Sequence, residues 1–177
     1  MKKFMLIAAA MVMTLAANAQ KVIYEGKAPS LKGERKINIK VDFSEMKIDK
    51  KDVADWLEAR QAEQPEYNAK DELEKELKPA VNEKLVEGVN DKLKKVNAYL
   101  TTNANANYTV VVKPQQVAKK GNNVNKCLIL DKSGNTVIAF ELTGKGGTFG
   151  SMSNLWGDGY GDAGKELGKI LLNYYKK

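Results

Sequence analysis

The chain has 177 residues, with 29 Lys and Arg against 22 Asp and Glu, no His and one Cys. Without imidazole there is no Ser-His-Asp triad, no Cys-His pair and no histidine metal site, and a lone Cys127 builds neither an intramolecular disulfide nor a thiolate metal site. Any enzyme would have to run on carboxylates, Lys, Tyr or a bound cofactor.

Residues 1–19 combine Lys2 and Lys3, an apolar run from Phe4 to Ala17 and small residues at Ala17 and Ala19, the layout of a secretory signal peptide. The run is shorter than the roughly 20 residues of a membrane-spanning helix, and no Cys follows the cleavage point for lipid attachment. The expectation is an exported protein, periplasmic or secreted, with no integral membrane segment after cleavage. Removing Lys2 and Lys3 lowers the net charge of +7 by two. Arg35 and Arg60 are the only arginines, so the remaining basic surface is lysine and nucleic acid is not an expected partner.

Residues 20–35 form an N-terminal segment in which Val22-Ile23-Tyr24 can add a short edge strand, and 36–177 are expected to fold as a single domain. Ile37, Ile39, Val41 and Phe43 alternate with polar residues, the period-2 pattern of a strand with one buried face. A first helix, capped by Asp49 or Asp52, places Val53, Trp56 and Leu57 on one side and ends before Pro65. A longer helical region runs from Ala69 to Leu100. Its apolar stripe turns by more than a third of a circle between Leu73, Leu77, Ala80 and Val81 and the later set Leu85, Val86, Val89, Leu93, Val96 and Leu100. Pro79 lies where the stripe turns, which predicts a kink or break there, with 80–100 as the main core helix.

Strands follow at 108–112, 124–130 and 136–142, the last two joined by the turn Asp131-Lys132-Ser133-Gly134-Asn135. A terminal amphipathic helix carries Tyr160, Ala163, Gly164, Leu167, Ile170, Leu171 and Tyr174 on one face. The predicted class is α+β, a mainly antiparallel sheet with helices packed on one face, in the order β-α-α-β-β-β-α.

Several motifs resemble catalytic signatures without their context. Ser44-Glu45-Met46-Lys47, Ser133-Gly134-Asn135 and Thr143-Gly144 evoke the penicillin-recognising serine enzymes, but Ser44 follows a strand and Leu142 stands where that chemistry needs Lys. Residues 143–148 have the composition of a phosphate loop in the wrong order. Gly157-Asp158-Gly159-Tyr160-Gly161-Asp162 has too few oxygen donors for Ca²⁺, and Asp158 reads instead as the cap of the last helix. Asp71, Glu72, Glu74 and Glu76 read as a solvated helix face, with Lys75 and Lys78 supplying i, i+4 partners. Cys127 reads as a buried, inert thiol. No catalytic residue, metal site or cofactor is expected.

Nine of the 14 glycines lie between residues 144 and 168. Gly164 and Gly168 suit a final helix lying close to the sheet. The earlier ones make 143–159 a flexible loop carrying Phe149, Leu155 and Trp156. Together with Asp158 and Tyr160, these are the candidate residues for contact with a partner or ligand.

The signal ending Ala17-Asn18-Ala19-Gln20 and the segment Leu31-Lys32-Gly33-Glu34-Arg35-Lys36 before the first core strand resemble small exported proteins of gut-type Gram-negative anaerobes. The element order and the last helix, Ala163-Gly164-Lys165-Glu166-Leu167-Gly168-Lys169, resemble the periplasmic α+β domain of the penicillin-binding-protein activator and curli secretion lipoproteins and of the TolB N-terminal domain. That resemblance implies a domain that binds partner proteins and does not catalyse. The expected function is a non-catalytic envelope module that binds another protein; the alternative is a small-molecule or glycan binder, with an exported enzyme behind both. Oligomeric state is left open by the sequence.

Overall fold

A computed structural model describes residues 22–26, 30–102 and 105–176; the signal-type segment 1–19 lies outside them. Eight strands form one sheet: β1 (Val22–Glu25), β2 (Lys36–Val41), β3 (Lys47–Ile48), β4 (Lys51–Asp52), β5 (Tyr99–Thr101), β6 (Tyr108–Val117), β7 (Asn123–Asp131) and β8 (Thr136–Gly144). The helices are α1 (Val53–Glu63), a short α2 (Ala69–Asp71) running through a π segment (Glu72–Leu77) into α3 (Lys78–Leu93), and α4 (Met152–Tyr175). Among the described residues no helix is long and apolar enough to cross a membrane.

The sheet order is β1-β8-β7-β6-β2-β5, with the β3–β4 hairpin attached to β6 through β3. The long β6–β7 and β7–β8 pairs are antiparallel. Their alternation sends Val110, Val112, Cys127, Ile129, Phe140 and Leu142 into one core with Ile37 and Ile39. The fold is α+β, with α3 and α4 supplying the other half of that core. Asp131 fixes the β7–β8 turn by accepting from the backbone N–H groups of Ser133 and Asn135, both at 2.9 Å. β2 departs from the antiparallel expectation: it runs parallel to both β5 and β6. Parallel neighbours need a crossover, and the helices between β2 and β5 provide it.

The break predicted at Pro79 takes another form. Residues 72–77 adopt π geometry and run without interruption into α3, whose second residue is Pro79, so the proline follows directly on a π bulge within one continuous helical run. An i→i+5 segment advances fewer degrees per residue than an α-helix, so it winds the two halves of the stripe back into line. Leu73, Leu77, Val81, Leu85, Val89 and Leu93 are therefore all buried in the same core.

The helix also stops earlier than its hydrophobic pattern suggests. A 3₁₀ turn (Lys94–Val96) leads to Asn97 in the left-handed region at φ 54°, which Asn tolerates better than most residues. The chain then reverses into β5. Asn90 holds this strand from α3: its side chain accepts from Leu100 N–H at 2.6 Å and donates to the Leu100 carbonyl at 3.1 Å.

α4 begins at Met152, eight residues before the apolar face that announced it. Its cap is Ser151, whose hydroxyl accepts from Asn154 N–H at 3.3 Å, and not Asp158, which lies within the helix. The small residues on α4 also face differently from the expectation. Gly164 and Gly168 meet α3, not the sheet: a Cβ on Gly164 would lie 2.4 Å from the Leu85 carbonyl oxygen. Gly159 faces the other way, and its Cβ would fall 2.0 Å from the Gly121 carbonyl oxygen in the β6–β7 turn. The helix is thus clasped by backbone on two sides, a packing that side chains there would prevent.

Candidate functional site

The loop 143–159 of the sequence reading is in fact a short turn, 145–151, followed by two turns of helix. Its backbone is pinned at several points. Lys145 N–H donates to Asp162 Oδ2 and Gly146 N–H to Asn122 Oδ1, both at 2.9 Å. Gly147 packs on the Asp158 carboxylate, and Gly150 has φ 120°, a conformation L side chains rarely adopt. This frame presents Phe149, which is 89% exposed, far more than any other large apolar residue described.

The five candidate residues separate by their position on α4. Trp156 and Tyr160 are fully buried and belong to the core, so they do not face a partner. Leu155 is half-buried against the turn, and Asp158 is exposed, with its carboxylate beside Gly147. The error came from the glycines: Gly157, Gly159 and Gly161 have poor helix propensity, and the local sequence therefore reads as coil. Burial of Trp156 and Tyr160 on one stripe with Ala163, Leu167 and Leu171 outweighs that penalty.

Behind Phe149 is an open cleft of about 590 Å³ between the start of α3 and the start of α4. Pro79, Ala80 and Gly157 line it together with the carboxylates of Glu76, Glu83 and Asp158. Lys84 is the cation among them. It is held by Glu87 at 2.7 Å, and that hydrogen bond, with the charges of Glu87, Glu83 and Asp158, keeps its ammonium above the usual lysine value. A second groove of about 870 Å³ runs between β2 and α3, with Asn38, Ile39, Lys40, Asn82, Val86 and Thr102 among its walls.

Two polar arrangements inside the protein escaped the sequence reading. Glu72, assigned to a solvated face, is buried and takes both Arg60 Nε and the second guanidinium nitrogen at 2.8 Å. Asp71–Lys75 and Glu74–Lys78 do form exposed i, i+4 pairs. The π segment turns Glu72 toward α1, and hydrogen bonding to Glu72 raises the Arg60 pKa further. One of only two arginines in the chain was the available signal. In the core, Tyr160 Oη donates to Asn125 Oδ1 at 3.1 Å, and Asn125 Nδ2 donates to Asn123 Oδ1 at 2.6 Å and to the Leu142 carbonyl at 3.0 Å. Burial pushes the Tyr160 phenol far above its ordinary value and does the same to the Cys127 thiol, so both stay protonated. These groups knit α4 to β7 and β8. Among the described residues no three carboxylates or thiols gather in a way that would hold a metal ion.

No family model matches the chain, and no curated protein matches it. Among solved structures, the chain is similar to a dodecameric PelC variant from Paraburkholderia phytofirmans, at 11% identity and a TM-score of 0.38, covering 84% of this chain and 97% of that one.

Proposed function

We propose that the chain is exported and works in the cell envelope as a non-catalytic module that binds another protein through the Phe149 turn. The observation that supports this reading is Phe149 itself, an aromatic ring almost wholly in water on a turn pinned by side chains of α4 and the β6–β7 turn. A pinned turn loses little conformational freedom on binding, and burying such a ring contributes about 1.5–3 kcal/mol. The cleft beside it accepts a protruding side chain of the partner.

Cross-linking and mass spectrometry on intact cells test the proposal. Lys84 and Lys145, which flank the turn, should link to a single envelope protein, and Phe149→Ala should abolish those links while the thermal melt stays within about 2 °C. Trp156→Ala serves as the contrasting core variant and should cost about 3–5 kcal/mol. Links that survive Phe149→Ala would remove the turn as the contact; their complete absence in the wild type would remove the binding reading. Fractionation and N-terminal sequencing address export, with Gln20 as the expected first residue.

A further inference from the structure

The surface around Phe149 reverses the sign of the whole chain. The net charge is +7, yet the cleft beside the ring is lined by the carboxylates of Glu76, Glu83 and Asp158, with Lys84 as its one cation. Glu87 already neutralises that lysine at 2.7 Å. Glu76 accepts from Tyr67 Oη, a neutral donor that leaves the carboxylate charge in place. Glu83 is 4.0 Å from Lys84, and among the described residues no hydrogen bond or ion pair ties the Asp158 carboxylate. Negative charge is therefore left in excess at the one place where a large aromatic ring stands in water.

Ring and carboxylate belong to one surface. A Cβ on Gly147 would lie 2.3 Å from Asp158 Oδ2, so the turn that carries Phe149 rests against that carboxylate. The face of an aromatic ring attracts a cation, and a carboxylate beside it supplies the counter-charge. The same combination is already filled elsewhere in the protein: Lys78 Nζ stands 5.3 Å from the Phe43 ring centroid and 2.5 Å from Glu74. Among the described residues no cation stands over Phe149. A metal ion does not fit, since no three carboxylates there converge as its ligands, and nucleic acid or an anionic lipid surface is repelled by the same charges.

We propose, on the reading that the Phe149 turn binds a protein, that the partner presents a basic segment whose arginine lays its guanidinium on the Phe149 ring and pairs with the carboxylates of the cleft. Arginine suits the site better than lysine because its plane matches both the ring face and a carboxylate. The cleft of about 590 Å³ exceeds the volume of one side chain, so residues flanking the arginine enter it as well.

A random peptide display library selected on the immobilised full chain tests this chemistry without knowledge of the partner. Enriched peptides should carry Arg next to apolar residues, and should bind Phe149→Ala and Glu83→Gln/Asp158→Asn at least about tenfold more weakly than the wild type. Exchanging that Arg for citrulline, which keeps the shape and removes the charge, should cost a similar factor. Both variants change exposed side chains, and their melts establish that they are folded. Peptides that are lost on Phe149→Ala but contain no basic residue, or that tolerate citrulline, would overturn the inference and leave the turn as a protein contact. A library that yields no peptide sensitive to either variant would overturn it too, while cross-linking in intact cells decides the broader reading separately.

Discussion

Gly161 and Gly164 are three residues apart on α4, and alanine at the two positions should move stability in opposite directions. In a helix interior Ala is favoured over Gly by about 1 kcal/mol, partly through the unfolded chain. At Gly161 nothing opposes that gain, since the nearest atom to an added Cβ is the Lys84 carbonyl oxygen at 3.9 Å, an ordinary contact. Gly161→Ala should therefore raise the melting temperature by about 2–4 °C for a domain of this size. At Gly164 the added Cβ would stand 2.4 Å from the Leu85 carbonyl oxygen and 3.2 Å from Gly88 Cα. Both are backbone atoms of α3 that no rotamer change moves aside, so the helices must separate by about 1 Å to reach normal contact. Overpacking of this kind costs about 1–3 kcal/mol, and separation also loosens the stripe formed by Leu85, Val89 and Leu167. Set against the propensity gain, the balance is a loss of up to about 2 kcal/mol, or as much as about 4–8 °C. Urea unfolding followed by circular dichroism, with Tm from calorimetry, measures both variants on one scale. If Gly164→Ala proves as stable as Gly161→Ala, close backbone contact does not hold α3 to α4 and the reasoning is refuted.

Glu72→Gln should cost about 3 kcal/mol in urea unfolding, because it leaves the Arg60 guanidinium, with only 14% of its side chain exposed, with no charged partner but the more exposed Glu63 at 3.6 Å; replacing both by Arg60→Met/Glu72→Leu should recover much of the loss. Cys127 should resist thiol reagents in the native protein and react once per chain in denaturant; fast native labelling would contradict its burial. Tyr175 donates to the Glu34 carbonyl at 2.8 Å, and burial with the nearby Glu34 charge pushes its phenol up to about 12. Because the folded value exceeds the unfolded value of about 10, its contribution is complete below pH 10 and is lost as pH rises toward 12. Tyr175→Phe should accordingly flatten the decline of the urea midpoint between pH 10 and 12, and an unchanged slope would count against that coupling.

How much of this was readable in advance depended on whether the governing interaction was local. Strands β6, β7 and β8 were legible because alternation and turn chemistry are short-range signals; Asp131 and Gly134 act within five residues of each other. The start of α4 was hidden, because its glycines read as coil until Gly121 and Leu85 are brought against them. The same holds at the candidate site. Phe149 does lie exposed on a turn, whereas Trp156 and Tyr160 changed from contact candidates to core once the helix extended back to Met152.

Composition alone removed histidine and disulfide chemistry, and hydrophobic patterning alone selected an α+β fold with helices on one face of a sheet. Only the tertiary structure decided which glycines meet a neighbouring backbone, that Glu72 is buried against Arg60, and that Asn90 closes the β5 edge from α3. The physical reason is common to all three. Periodicity along a chain states which residues seek burial, but steric fit, charge pairing and strand-edge satisfaction are properties of two segments at once, and the partner segment lies tens of residues away.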